Sequence, residues 1–220
     1  YPSDFANLTV WISADSNVTF NIATKKISSI IDRENNIAVR QNTDANQPLW
    51  YGYDGNNDKS YLKFNGTTNF LSSTKTLPVF NDFTVFEVSK NSAINSTLFS
   101  YISSSAIIDT GAFGAFIYDG SESLLLDTGK DNISESHISV VKKSSKTLDL
   151  KYYTSNPSKN FTGTITNSSF NAAKEFNEQM FAIGGFYNQT SGITSQYFNG
   201  EVQEFIVYNR ALSDSEIDDV

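Results

Sequence analysis

The sequence predicts an all-β protein made of antiparallel strands. Three observations carry this. Apolar and polar residues alternate with a period of two through most of the chain. Clusters of Gly, Asn and Asp interrupt the alternation at short intervals, as turns require. A helical period is almost absent. Short strands punctuated in this way build a sandwich or a barrel.

"LTVWISA" (8–14) places Leu8, Val10 and Ile12 on one face and Thr9, Trp11 and Ser13 on the other. "FTVFEVS" (83–89) is a strand both by alternation and by its β-branched and aromatic content. "YLKFN", "TLFSYIS", "FGAFIYD", "SLLLD", "HISVV", "TLDLKYY" and "MFAIGGF" continue the series. "YDGNND", "NGTTN", "YDGSES" and "DTGKDN" lie between them as turns. Two segments have helical character. "NAAKEFNEQ" (171–179) is short and polar. "SDSEIDDV" (213–220) carries a capping box, in which the Ser213 hydroxyl accepts from the Glu216 amide and Glu216 reaches back to the amide of Ser213. This helix is expected to close one end of the fold.

The 220 residues suit a single domain spanning 1–220, with no linker or internal repeat. With 17 Phe and 11 Tyr the chain has ample apolar surface for a core. There is no cysteine, which excludes disulfides, thiolate metal sites and a cysteine nucleophile. A net charge of −8 speaks against a nucleic-acid partner. The doubled cation Lys142-Lys143 ends a strand and reads as a solvated edge. No apolar run reaches the roughly 18 residues of a membrane span. "YPSDFANLTV" has neither the charged nor the apolar region of a signal peptide, so the chain reads as a mature product or a module of a larger protein. Asn7, Asn17, Asn65, Asn95, Asn132, Asn160, Asn167 and Asn188 open N-x-S/T triplets. These are glycan acceptors in a secreted eukaryotic chain, or the chance product of an Asn- and Ser-rich composition.

The last strand and its tail, "FNGEVQEFIVYNRALSDSEI", resemble the C-terminal motif of laminin-G-like domains of the concanavalin A-like lectin/glucanase superfamily. The match runs through Gly200, Glu204, Tyr208, Asn209, Arg210, Ala211, Leu212, Ser213 and Glu216. "LTVWISADSNVTF" is similar to the family's first strand, with Trp11, Ala14 and Asp15 in place, and "SSIIDRENNIAVRQNTDANQPLW" to the segment that follows. The resemblance covers 8–90 and 180–217. It implies a two-sheet antiparallel jelly-roll sandwich with a short C-terminal helix. It also implies a structural or calcium-binding role for Glu204. Counting along the strand, Val202, Glu204, Ile206 and Tyr208 share one face, and Arg210 is the expected partner of Glu204.

The resemblance names no single function, because one fold carries many. Glucanases of this fold carry an alternating E-x-D-x-x-E strand, and no such run occurs here. Glu201 and Glu204 are three apart and face opposite sides of a strand. The single histidine, His137, shares a face with Ser139 and Val141 and has no G-x-S-x-G elbow to serve. Zinc lacks its His and Cys ligands. Calcium is the one cofactor whose ligand chemistry the loops offer, through Asp54, Asp58, Asp119, Asp127 and Asp131, without a fixed ligand set. Sugar recognition needs aromatic faces beside amides and carboxylates. Three groups supply them: Trp50, Tyr51, Tyr53, Asp54 and Asn56; Tyr118 and Asp119; and Tyr187, Asn188 and Tyr197. The expected function is therefore a non-catalytic carbohydrate-binding or adhesion module on a cell or virion surface. Its expected partners are a surface glycan or protein ligand and neighbouring domains. A decoration or fibre domain of a virus or phage is the second class, and a glycan-cleaving enzyme the third.

Overall fold

A computed structural model describes residues 1–53, 59–91, 96–103, 106–111, 114–127, 135–176, 180–188 and 192–220. In chain order the strands are β1 (Leu8–Ser13), β2 (Val18–Phe20), β3 (Ile27–Ile31), β4 (Ala38–Arg40), β5 (Leu49–Tyr51), β6 (Tyr61–Asn65), β7 (Leu71–Ser73), β8 (Phe83–Asn91), β9 (Thr97–Ser103) and β10 (Ala106–Gly111). There follow β11 (Gly114–Tyr118), β12 (Ser123–Asp127), β13 (His137–Ser144), β14 (Thr147–Thr154), β15 (Phe161–Thr166), β16 (Phe181–Ile183), β17 (Phe186–Asn188), β18 (Gly192–Ser195), β19 (Asn199–Tyr208) and the helix α1 (Asp214–Asp219). One sheet has eight strands in the order β15-β14-β13-β8-β19-β6-β5, with β1 also paired to β19. The other has nine, in the order β12-β11-β10-β9-β16-β7-β4-β3-β2, and β17 and β18 form a separate hairpin. The two sheets make an antiparallel β-sandwich.

The core lies between the sheets and is dominated by rings. Phe205 of β19 meets Phe99 of β9 at 4.8 Å between centroids. Phe80, Phe83, Phe176 and Tyr101 pack edge-on and stacked around one another. Residues 171–176 form turns here rather than the expected helix. Phe176 bridges to Phe80 and both Phe170 and Phe176 are fully buried, so ring burial outweighs the weak local helix preference. Residues 177–179 lie outside the described residues.

β19 has three strand partners. Its first residues pair with β6, its last with β1, and its whole length with β8. Where the partner changes, a bulge interrupts the register between Val202 and Glu204, and the amide of Ala14 donates to the carbonyl of Gln203 at 2.9 Å. The bulge corrects the simple face count. Val202, Phe205 and Val207 point into the core, whereas Ile206 and Tyr208 point outward. A second irregularity, between Leu8 and Val10, moves Leu8 to the outer face with Trp11.

That outer face carries its own apolar cluster of Trp11, Phe86, Val140, Ile206 and Tyr208, covered by Leu212 and Ile217 of the tail. The helix thus lies on a face of the sandwich and does not plug an end, because its one buried side chain, Ile217, needs an apolar patch to cover. Its capping box forms as expected, with Ser213 N donating to Glu216 Oε2 at 2.8 Å and Glu216 N to Ser213 Oγ at 3.3 Å. Arg210 is bound bidentately by Glu216, at 2.9 and 2.6 Å, and not by Glu204. Arg210 Nε also donates to Ala6 O at 3.1 Å, and Tyr208 Oη to Pro2 O at 2.7 Å, so the tail is stitched to the first residues of the chain.

Glu204 accepts instead from Trp11 Nε1 at 3.2 Å, and the Arg33 guanidinium lies 4.5 Å from the Trp11 ring centroid. Beside them the buried Asp32 carboxylate accepts from four backbone amides, those of Trp11, Glu34, Asn35 and Ile37. The family-like residues at both chain ends therefore meet in one structural network. Lys143, expected at a solvated edge, is fully buried, with its ammonium on Asn81 O at 2.7 Å and Asp82 at 3.1 Å. We expect Asp32→Ala to lower stability by about 3 kcal/mol, since it strands buried amide donors, and urea unfolding reads this directly.

Candidate functional site

The interior changes character along β8. Phe83 and Val85 join the apolar core, but Glu87, Ser89 and Asn91 continue the same inward row as buried polar groups. Glu87 accepts from Ser139 Oγ at 2.9 Å and from Thr110 Oγ1 of the opposite sheet. Burial pushes its carboxyl up to about 7, against the pull of these two hydroxyls. His137 meets Ser89 Oγ at 3.0 Å, stacks on Tyr152 with centroids 4.3 Å apart and places Nδ1 3.3 Å from Glu135 O. Burial holds its pKa down to about 4, so the ring is neutral. Its second nitrogen faces a main-chain carbonyl rather than a carboxylate, and the ring is buried. This is a structural histidine, without the orienting acid of a Ser-His-Asp arrangement.

The three aromatic groups read from the sequence separate into different environments. In the first, Trp50 donates from Nε1 to Ala14 O at 2.9 Å, lies 4.3 Å from Phe20 and covers Gly52, where an added Cβ would lie 2.5 Å from the indole. Its ring is therefore committed to packing. Tyr51 stacks face to face on Tyr61 at 5.0 Å, and Lys25 Nζ sits 4.7 Å from its centroid. Tyr53 is 71% exposed. Asp54 and Asn56 lie outside the described residues, as do Asp58 and Asp131.

In the second group, Asp119 is a turn cap. It accepts from the amides of Ser121, Glu122 and Asn171 and from the Ser121 hydroxyl, which hold its carboxyl down to about 2 against the opposing effect of burial. Tyr118 is half-buried on the outer face of the nine-stranded sheet. In the third, Tyr187 and Asn188 lie on β17, opposite Ile193 and Gly192 of β18. Tyr197 bridges to Thr97 at the start of β9. Among the described residues no three His, Asp or Glu side chains gather as a metal site.

The outer face of β10–β12 carries a further set of side chains, on the same face as Tyr118. Ile108, Thr110, Ala115, Ile117 and Leu124 point inward, so Asp109, Phe116 and Leu125 form an outward row across three strands. Leu125 is 57% exposed and Phe116 half-buried. Asp109 stands beside Ser100, whose hydroxyl donates to Gly185 O at 2.8 Å and so ties the start of the β17–β18 segment over this face. Thr97 hydrogen-bonds Asp109 and donates to Gln196 Oε1 at 3.0 Å. Gln196 holds a left-handed backbone, φ 56°, an uncommon state for a non-glycine residue. Burial pushes Asp109 up to about 7, and only the Thr97 bond opposes it. A hydroxyl has one proton. That proton can turn to Gln196 or to Asp109, and when it turns to Asp109 the ionised carboxylate accepts it, which is why this bond opposes the effect of burial.

The result is a row of acid, aromatic ring and apolar side chain, flanked by the Gln196 amide. Such a set offers hydrogen bonds to hydroxyls and a ring face to C–H groups. Sequence reading did not single out Asp109, Thr97, Gln196 or Phe116. The available sign was the acid in "AIIDTG", placed between β-branched residues.

Known proteins bear on the fold. No protein-family model matches the sequence, and no curated protein matches it. Among solved structures, domain 4 of AbnA, an extracellular GH43 arabinanase of Geobacillus stearothermophilus, in complex with arabinotriose, is 16% identical, with 97% of each chain covered and a TM-score of 0.54. An arabinofuranosidase complexed with arabinofuranosyl-α-1,2-xylobiose is 14% identical over 89% of this chain and 49% of that one, TM-score 0.59. Trypanosoma rangeli sialidase in complex with sialic acid is 17% identical over 97% of this chain and 32% of that one, TM-score 0.58. The chain thus spans about half and a third of the latter two. At these identities the likeness is one of fold, an antiparallel two-sheet β-sandwich.

The buried titrating groups fix how stability depends on pH. Glu87 and Asp109 bind protons more tightly folded than unfolded, so each loses stabilising effect as pH rises from their ordinary values, 4.5 and 3.8, to about 7. His137 acts oppositely between about 4 and 6.5 and cancels roughly one of the two. We expect stability to fall by on the order of 4 kcal/mol from pH 4.5 to pH 7 and then to level off. Thermal melts across that range check it, and Glu87→Gln removes much of the slope.

Proposed function

We propose that this chain is a non-catalytic, laminin-G-like carbohydrate-binding or adhesion module of a cell or virion surface. In this reading, the outer face of β10–β12 is its ligand surface. The observation that carries the reading is the outward row Asp109, Phe116 and Leu125 beside the Thr97–Gln196 hydrogen bond. A sugar ring lies with its C–H face on Phe116 while its hydroxyls exchange hydrogen bonds with Asp109 and Gln196. A half-protonated carboxyl suits this role, because it both donates and accepts near neutral pH. The non-catalytic reading rests on the two acids with raised pKa values. Glu87 is sealed inside the sandwich by Thr110 and Ser139, while Asp109 faces outward, so they do not flank one open bond-breaking site. The ligands of the similar structures are sugars, which supports the class of ligand and no more. An extracellular setting fits the same reading. No helix among the described residues is long and apolar enough to cross a membrane.

Titration of the protein with a panel of neutral and acidic oligosaccharides tests this. We expect binding to at least one, and a loss of about tenfold or more for Phe116→Ala and for Asp109→Asn, with Tyr53→Ala unchanged. Binding lost in Tyr53→Ala but kept in the other two would move the site to the β5–β6 corner.

A further inference from the structure

We propose that the free edge of β15 is a self-association surface, through which two copies of this chain join their eight-stranded sheets by antiparallel β15–β15 pairing. This is independent of where a sugar binds.

Among the described residues the sandwich has five edge strands, β15, β5 and β1 in one sheet and β12 and β2 in the other. Exposed edges offer unpaired backbone groups to other chains, and proteins that must stay apart blunt them with brevity, charge, proline, bulges or a cover. Four of the five are blunted here. The outer edge of β1 is covered by the chain after β3, with Arg33 N on Trp11 O at 2.9 Å and Asn35 Nδ2 on Thr9 O at 3.0 Å. β5 is three residues long and is hydrogen-bonded across to the chain before β3, with Trp50 N on Lys25 O at 2.8 Å and Ile27 N on Pro48 O at 2.9 Å. β2 is also three residues long and its register with β3 is irregular. β12 ends on Asp127, and Asn167 reaches across its start to Ser123 O and Glu122, each at 3.2 Å.

Among the described residues β15 has none of these devices. Its six residues, "FTGTIT", carry no charge and no proline, and its register with β14 runs unbroken from Phe161 to Thr166. Among the described residues it pairs with β14 alone. Phe161 and Ile165 turn in against the core, and the Phe161 ring fills the space above Gly163, so the strand is anchored by its inner face. Thr162, Thr164 and Thr166 are exposed on the other face.

The partner that suits such an edge is a second copy. An isologous contact brings each residue near its own counterpart, so any charge at its centre would meet a like charge. The chain carries a net charge of −8, and this strip is a neutral one. Face-preserving antiparallel registers set outward residues opposite outward residues. In β15 these are all threonines, and threonine pairs are favourable cross-strand neighbours. Six residues a side make a small interface, so the dimer is weak and reversible, and salt tightens it by screening the two acidic bodies.

Sedimentation equilibrium over a wide concentration range tests the proposal. We expect a monomer–dimer equilibrium that tightens with salt. The double variant Thr162→Lys, Thr164→Lys should raise the dissociation constant about tenfold or more while its circular dichroism and melting temperature stay near those of the parent. Hydrogen exchange of the unaltered chain, which needs no variant, should show protection rising with concentration at β15. A parent chain that stays monomeric at its highest soluble concentration overturns the proposal. So does a lysine variant that is folded and dimerises as tightly as the parent, or concentration-dependent protection that falls elsewhere.

Discussion

The backbone ladder of β19 is the interaction on which the other parts depend. The strand is laid down last yet sits in the middle of its sheet, with β8 along one side and β6 and then β1 along the other. Its inward residues, Val202, Phe205 and Val207, belong to the main core, and its outward ones, Ile206 and Tyr208, to the cluster beneath the helix. Both apolar layers thus share one strand, and the first strand of the chain cannot pair until the last has formed. The Trp11–Glu204 and Tyr208–Pro2 hydrogen bonds tie the same ends through side chains. Contacts this distant in sequence close late and slowly.

Much of this was legible in the sequence. Alternation and turn chemistry gave the strands, and the capping box at Ser213 and Glu216 gave the helix. What the sequence concealed was mostly long-range. A period of two cannot announce a bulge, so Val202 and Leu8 were set on the wrong faces by counting. A carboxylate's partner is fixed by tertiary position, so Arg210 was matched to Glu204 when Glu216, six residues away, holds it. Phe170 and Phe176 turned a helix-like segment into core turns, because two buried rings outweigh a short polar helix.

The site shows the same division. Aromatic residues in turn-rich segments were visible, but their availability was not. Trp50 is packed over Gly52 and Asp119 is held by backbone amides, while Tyr118 lies on the outer face of one sheet. The acid on that face, Asp109, lies in a strand rather than a loop. Its environment comes from Thr97 and from the segment anchored at Gly185, neither of which a local reading could bring near it. The interior polar row of Glu87, Ser89 and Asn91 follows the strand alternation in position but breaks it in chemistry. It is satisfied in part by hydroxyls from both sheets, so its pattern appears only when the sheets are stacked.

Native-state hydrogen exchange tests the role of β19 most directly. If the last strand is the keystone, the amides of Val202, Phe205 and Val207 exchange only through global unfolding, with the same free energy as those of the central residues of β8. Exchange at β19 that is much faster than at β8 and β13 would show that the sandwich stands without it, and would contradict the account.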